Sequence, residues 1–166
     1  MSSYIKLIIF VAVLLLVSVA IVFIDSSMDN INESMPNISD HIVQGDKDYN
    51  MSVDLVNNKK FDESMEKAIS AGNNFNNSLN QLLNIKNKFY KDLNNVHKDY
   101  IDTSIDELEL KLDAVDELKQ SIDYFKKYYN YTGSTHATKA NDIMYDAVEY
   151  QNQRNVIVEN NLKLFD

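Results

Sequence analysis

Between Gly72 and Gly133 the chain runs sixty residues without a glycine or a proline. A β-sandwich or an α/β fold needs frequent Gly/Pro turns, so such a stretch has to be helical. Its apolar residues agree. One series, from Phe61 through Ala68, Phe75, Leu82 and Phe89 to Val96, advances by 3.5 residues on average. A second series, from Ile101 through Leu108, Val115 and Ile122 to Tyr129, keeps the same step between Asp, Glu and Lys flanks. Each is one stripe on one helix face, with the charged residues turned to water. Asn94-Asn95 is the best break between the two series, and one continuous helix is the alternative.

Upstream, Pro36 suits the first turn of a helix, and Ile38, Ile42, Tyr49, Val53 and Val56 form a shorter stripe interrupted by Gly45. Asn57-Asn58-Lys59-Lys60 reads as a tight turn. Asn130-Tyr-Thr-Gly-Ser-Thr135 reads as a loop broken at Gly133. A last stripe holds Ala137, Ala140, Met144, Ala147 and Val148. The expectation is an all-α chain with four helices at about 37–57, 60–93, 96–130 and 135–162. Each stripe is too narrow to stand alone in water, so the helices must bury one another as an antiparallel bundle of two hairpins.

A faint internal repeat lies at an offset of 69 residues. Ser52-Val-Asp-Leu-Val56 matches Ser121-Ile-Asp-Tyr-Phe125. Ala68, Ala71, Phe75, Ser78 and Leu79 match Ala137, Ala140, Met144, Ala147 and Val148. A duplication would make the domain two helix pairs.

The N-terminus is of a different kind. Leu7 to Ile24 is an uncharged apolar run of 18 residues. With Tyr4 and Ile5 it reaches the length, about 20 residues at ~1.5 Å each, that crosses a bilayer core. Lys6 precedes the run and Asp25 and Asp29 follow it, which orients the N-terminus to the cytoplasm and the rest outside. Ser18-Val19-Ala20 would suit a signal peptidase, but the apolar run continues past that point, so an uncleaved signal anchor is favoured. The expected domains are a cytoplasmic tip and transmembrane anchor at 1–24, a linker at 25–36 and an extracytoplasmic helical bundle at 37–166. Asn32, Asn37, Asn50, Asn76 and Asn130 each open an Asn-X-Ser/Thr sequon, in keeping with export, although the chain is rich in Asn.

Composition narrows the function classes. Beyond Lys6 the chain carries 15 basic and 25 acidic residues, a balance that opposes nucleic-acid binding and a flat seat on anionic lipid. Cysteine is absent, which removes disulfides, thiolate metal sites and a Cys nucleophile. His41, His97 and His136 fall on different elements without ligand spacing. Asp46-Lys-Asp48 lacks the Gly and terminal Glu of a calcium loop. Asp106/Glu107 and Asp116/Glu117 read as solvated helix faces. No catalytic, cofactor or metal site is expected.

The patch that invites a binding test is aromatic. Tyr124, Phe125, Tyr128, Tyr129 and Tyr131 cluster at the end of the third helix, and tyrosine joins apolar area to a polar tip. Packing of the bundle end is the plain alternative. The expected function is a non-enzymatic interaction or structural module of the cell envelope, membrane-anchored, with a protein partner or self-association. The alternative is an extracytoplasmic, sensor-like ligand-binding module working with a membrane partner.

Two resemblances accompany this reading. Asn58-Lys-Lys-Phe-Asp-Glu-Ser-Met-Glu-Lys-Ala68 resembles the turn and second helix of a tetratricopeptide unit, which implies stacked helix pairs. His97-Lys-Asp-Tyr100, Glu107-Leu-Glu-Leu-Lys111 and Gln151-Asn-Gln-Arg-Asn155 resemble uncharacterised single-span helical proteins of methanogenic archaea, which implies a membrane anchor and no known activity.

Overall fold

The computed structural model describes residues 29–165. The apolar segment read as a signal anchor lies outside them. Among the described residues no helix is long and apolar enough to cross a membrane. The described chain is all-α: α1 (Asp29–Asn57), α2 (Phe61–Phe89), α3 (Asn95–Lys126) and α4 (Asn130–Asn160), with a short 3₁₀ turn at Leu162–Leu164. Each helix packs antiparallel on the next. The α1/α2 hairpin meets the α3/α4 hairpin mainly through α2 and α3. The backbones of α1 and α4 stay apart; Tyr49 on α1 reaches over to donate to the Ala140 carbonyl at 3.5 Å.

Side chains from all four helices form one core, in which Phe75, Leu82, Ile101, Leu108 and Ile122 are fully buried. Burying a residue of this size stabilises by roughly 1.5–3 kcal/mol relative to exposure. The stripes therefore hold the hairpins together, as their spacing predicts.

The 69-residue offset is a structural repeat. The last residues of α1 and α3, Asn57 and Lys126, stand at that offset, and so do the first residues of α2 and α4, Phe61 and Asn130. Both hairpin turns close as Schellman motifs. Lys60 N–H donates to Leu55 O and Tyr129 N–H to Tyr124 O, both at 2.9 Å. The residues that take the left-handed conformation are Lys59 (φ 58°) and Tyr128 (φ 64°), again at that offset. One turn inward, Ser52 Oγ donates to Ser64 O, and Ser121 Oγ donates to Gly133 O, both at 2.8 Å. Asp48 on α1 accepts from Lys67 and Ser70, while the equivalent Glu117 on α3 binds His136 and Lys139 at the matching places.

Three expectations change. α1 already includes Asp29, so residues 29–36, read as part of a linker, are helical and Pro36 sits inside the helix. Ile31 and Met35 extend the buried stripe upstream, and their burial offsets the backbone hydrogen bond that the exposed proline cannot donate. Asn130–Thr135 is the start of α4 and not a loop. Gly133 serves close approach there: a Cβ on it would stand 2.9 Å from the Phe125 ring. Gly45 likewise leaves α1 unbroken and receives the Phe75 ring, which a Cβ would meet at 2.5 Å.

The expected break at Asn94-Asn95 is the α2–α3 link, where the Asn94 side chain caps α3 by accepting from His97 N–H at 2.9 Å.

Candidate functional site

The two copies of the hairpin differ in the chemistry of the core. In the α1/α2 hairpin Ile38, Ile42, Leu82 and Ile85 are buried aliphatic residues. At the equivalent positions of the α3/α4 hairpin stand Glu107, Lys111, Gln151 and Arg154. Asp46 joins them from α1, where its equivalent on α3 is Val115.

Lys111 Nζ lies 2.8 Å from Asp46 Oδ1 and 2.8 Å from Glu107 Oε1, and Arg154 Nη1 lies 3.1 Å from Glu107 Oε2. These are charge contacts without hydrogen-bond alignment; the aligned bond runs from Lys111 to Asp46 Oδ2 at 3.0 Å. The Lys111 ammonium also faces the Phe75 ring, and the Arg154 guanidinium faces Tyr100. Gln151 Oε1 is buried without a hydrogen-bond partner among the described residues.

Burial lowers the affinity of Lys111 for its proton, but the charges of Asp46 and Glu107 outweigh it and hold its pKa above the ordinary value. Asp46 has one ammonium partner and a like charge nearby, so burial dominates and raises its pKa. Two cations and two anions cancel. Asp46, Glu107 and Lys111 are sealed from solvent, and Arg154 is partly exposed. The physical effect of the cluster is to tie α1 to α3 and α3 to α4.

Both hairpin turns lie at the end opposite the α2–α3 link. Helices of 29 residues set the two ends about 43 Å apart. The eight residues 57–60 and 126–129 include four lysines and no acid. Phe61 and Phe125 stack between the turns at 6.0 Å and 13°. Lys126 pairs with Asp62 at 2.5 Å, and Lys60 with Glu63 at 3.3 Å. Lys59, Lys60, Phe61, Asp62, Glu63, Phe125, Lys126 and Tyr128 line a recess of about 320 Å³.

Of the four tyrosines singled out by the sequence, Tyr128, Tyr129 and Tyr131 are exposed by 88%, 61% and 85%. Tyr124 is half-buried. It stacks face to face on His136 at 5.2 Å and meets Tyr129 edge-on. His136 meets a carboxylate: its Nδ1 sits 2.6 Å from Glu117 Oε2, and Lys139 Nζ donates to the other carboxylate oxygen at 2.6 Å. These hydrogen bonds from Lys139 and His136 hold the Glu117 pKa below the ordinary value. Glu107 and Glu117, read as solvated, are both buried, because α3 packs against α2 on one side and α4 on the other.

The three histidines do not converge, and among the described residues no group of ligating side chains could hold a metal ion. His41 meets Asn74, and His97 meets Asn94 and the Leu164 carbonyl. The five sequon asparagines all lie in helices. Ser52 and Ser78, the hydroxyl residues of two sequons, are buried and donate to Ser64 O and Ile38 O.

The ionic core escaped the stripe analysis because α3 has two buried faces. The signal that could have found it is the 69-residue offset carried along the whole hairpin, which sets Glu107 and Lys111 against Ile38 and Ile42.

No family model, curated protein or solved structure matches this chain.

Proposed function

We propose that the chain is a non-enzymatic recognition module of the cell envelope, held to the membrane by its N-terminal apolar segment and outside the cytoplasm. Its working surface is the end that carries the two hairpin turns. The observation that carries this reading is the joint exposure of Tyr128, Tyr129 and Tyr131 beside turn lysines on an otherwise acidic chain. Tyrosine is enriched at binding hot spots, and Tyr128 and Tyr131 leave most of their surface to solvent. If α1 rises from the lipid boundary, the turns stand about 43 Å away along helices of this length. The second reading, a ligand-binding module that works with a membrane partner, is favoured by the recess between the turns.

Photo-crosslinking in native membranes tests the proposal. A photoreactive residue is placed in the full-length protein at Tyr131, or at Tyr145 and Val156 on the outer face of α4, which are also exposed. Adducts from Tyr131 and none from the α4 positions are expected. Adducts from α4 alone would contradict the proposal.

A further inference from the structure

We propose that Asn130 is a site of N-linked glycosylation, the one sequon of the five that folding leaves open to a glycosyl transferase. The proposal rests on the domain lying outside the cytoplasm and adds a covalent sugar chain at the rim of the recognition end.

The chemistry sets the demands. The amide nitrogen of the sequon attacks the anomeric carbon of an oligosaccharide carried on a polyprenyl phosphate or diphosphate lipid. The C1–O bond to the phosphate breaks and a C1–N bond to Asn Nδ2 forms. The amide proton passes to a base of the transferase, and the phosphorylated lipid leaves with the bonding electrons. The hydroxyl two residues on is read together with the amide. In an α-helix residues i and i+2 do not share a face, so a sequon has to leave the helix before one site can hold both side chains.

Folding denies this to four sequons. Asn50 and Asn76 lie inside α1 and α2, and the buried hydroxyls of Ser52 and Ser78 donate to Ser64 O and Ile38 O at 2.8 and 2.9 Å. Asn32 and Ser34 are each engaged in interactions of their own. Asn37 Oδ1 accepts from Gln81 Nε2 at 2.8 Å, and Ser39 is half-buried in the same helix.

Asn130 differs at each point. It is exposed and is the first residue of α4. Neither its amide nor the half-buried Thr132 hydroxyl has a hydrogen-bond partner among the described residues. Gly133 N–H, which bonds Tyr129 O at 2.9 Å, is the first helical donor of α4. Asn130, Tyr131 and Thr132 therefore lie wholly in the turn whose amides close no helical bond. That turn can uncoil at the end of a helix, where opening costs least, whereas an interior sequon opens only with the core beneath it. The flanking Tyr129 and Tyr131 are exposed, which leaves the approach clear.

The test is peptide mass spectrometry of the full-length protein purified from its native membranes, with electron-transfer fragmentation to place each sugar. Intact cells are first treated with a membrane-impermeant amine reagent, and labelling of the exposed Lys47 reports on which side the domain lies. The expected result is a glycan on Asn130 in most copies, with Asn50 and Asn76 bare. Thr132→Ala should lose the glycan, and Thr132→Ser, which restores the hydroxyl, should keep it. With Lys47 labelled from outside, a bare Asn130, equal occupancy of Asn50 or Asn76, or a glycan unmoved by Thr132→Ala overturns the proposal while the outward placement stands. With Lys47 labelled only after the cells are opened, both fall.

Discussion

Lys111 and Asp46 lie 2.8 Å apart with both side chains sealed from water, and the residues equivalent to them in the other hairpin copy are Ile42 and Val115. Each hairpin supplies one residue to either pair, and of the two related pairs one is charged and the other apolar, all four residues being buried. Desolvation of four ionic groups nearly cancels their mutual attraction, so the cluster does not account for stability. It does distinguish the hairpins: α1 presents a carboxylate that only the α3 face can answer.

Removing one partner should be costly. Lys111→Met leaves Asp46 and Glu107 buried without their ammonium and should destabilise by about 3–5 kcal/mol in urea unfolding. Replacing each residue of the cluster by its equivalent in the other hairpin, with Glu107→Ile, Lys111→Ile, Gln151→Leu, Arg154→Ile and Asp46→Val together, should be neutral or stabilising by about 1–4 kcal/mol. A large loss in the combined variant would mean that the ionic cluster itself stabilises the fold.

The glycines should behave as half of a size exchange. Gly45 faces Phe75, and the equivalent pair in the other hairpin is Ala114 and Met144. Gly45→Ala gains about 1 kcal/mol of helix propensity. Overpacking against the ring outweighs that gain, at about 1–3 kcal/mol. The melting temperature should therefore fall, and Phe75→Met added to Gly45→Ala should restore much of it. Gly72→Ala, whose Cβ would meet only Val115 Cγ1 at 3.3 Å, should change it little.

Lys59 carries the strained backbone of the first turn at φ 58°. Lys59→Gly removes the Cβ clash of the left-handed conformation and should stabilise by about 1 kcal/mol. Thermal unfolding of the single variant reads this directly; a loss would show that the lysine side chain holds the turn.

Acid sensitivity should trace to Asp48. Burial raises its pKa, but hydrogen bonds from Gln44, Lys67 and Ser70 outweigh burial and leave it below the ordinary 3.8. A depressed carboxylate contributes stability above its unfolded pKa and loses it as pH falls through the folded value. Glu117 acts with the same sign, and Asp46, raised by burial, with the opposite sign: its contribution is full below 3.8 and is lost as pH rises through the folded value. Asp48→Asn should therefore lower stability at neutral pH and reduce the further loss below pH 4. Urea midpoints across that range check it; an unchanged acid slope would remove Asp48 from the account.

The sequence was legible where one face of a helix met one neighbour. The stripes of α2 and α4, the break before Asn95 and the Ser52/Ser121 match all carry through to the fold. It misled where a local signal was reused for packing. Gly133 and Gly45 are breakers by type, yet they seat Phe125 and Phe75, and the two true turns hold Lys59 and Tyr128 where glycine is the usual mark. Of the candidate surface, Tyr128, Tyr129 and Tyr131 were found by clustering alone. The recess was not, because Phe61 and Lys60 reach it from a turn sixty-nine residues away.

The account places recognition at the turns and only pairing in the ionic core, and capture from native membranes by two full-length variants separates these roles. The combined aliphatic replacement of the core should retain its captured partner at the wild-type level, while Tyr128→Asn with Tyr131→Ser, equally folded, should lose it. Loss in the first variant and retention in the second would contradict the account.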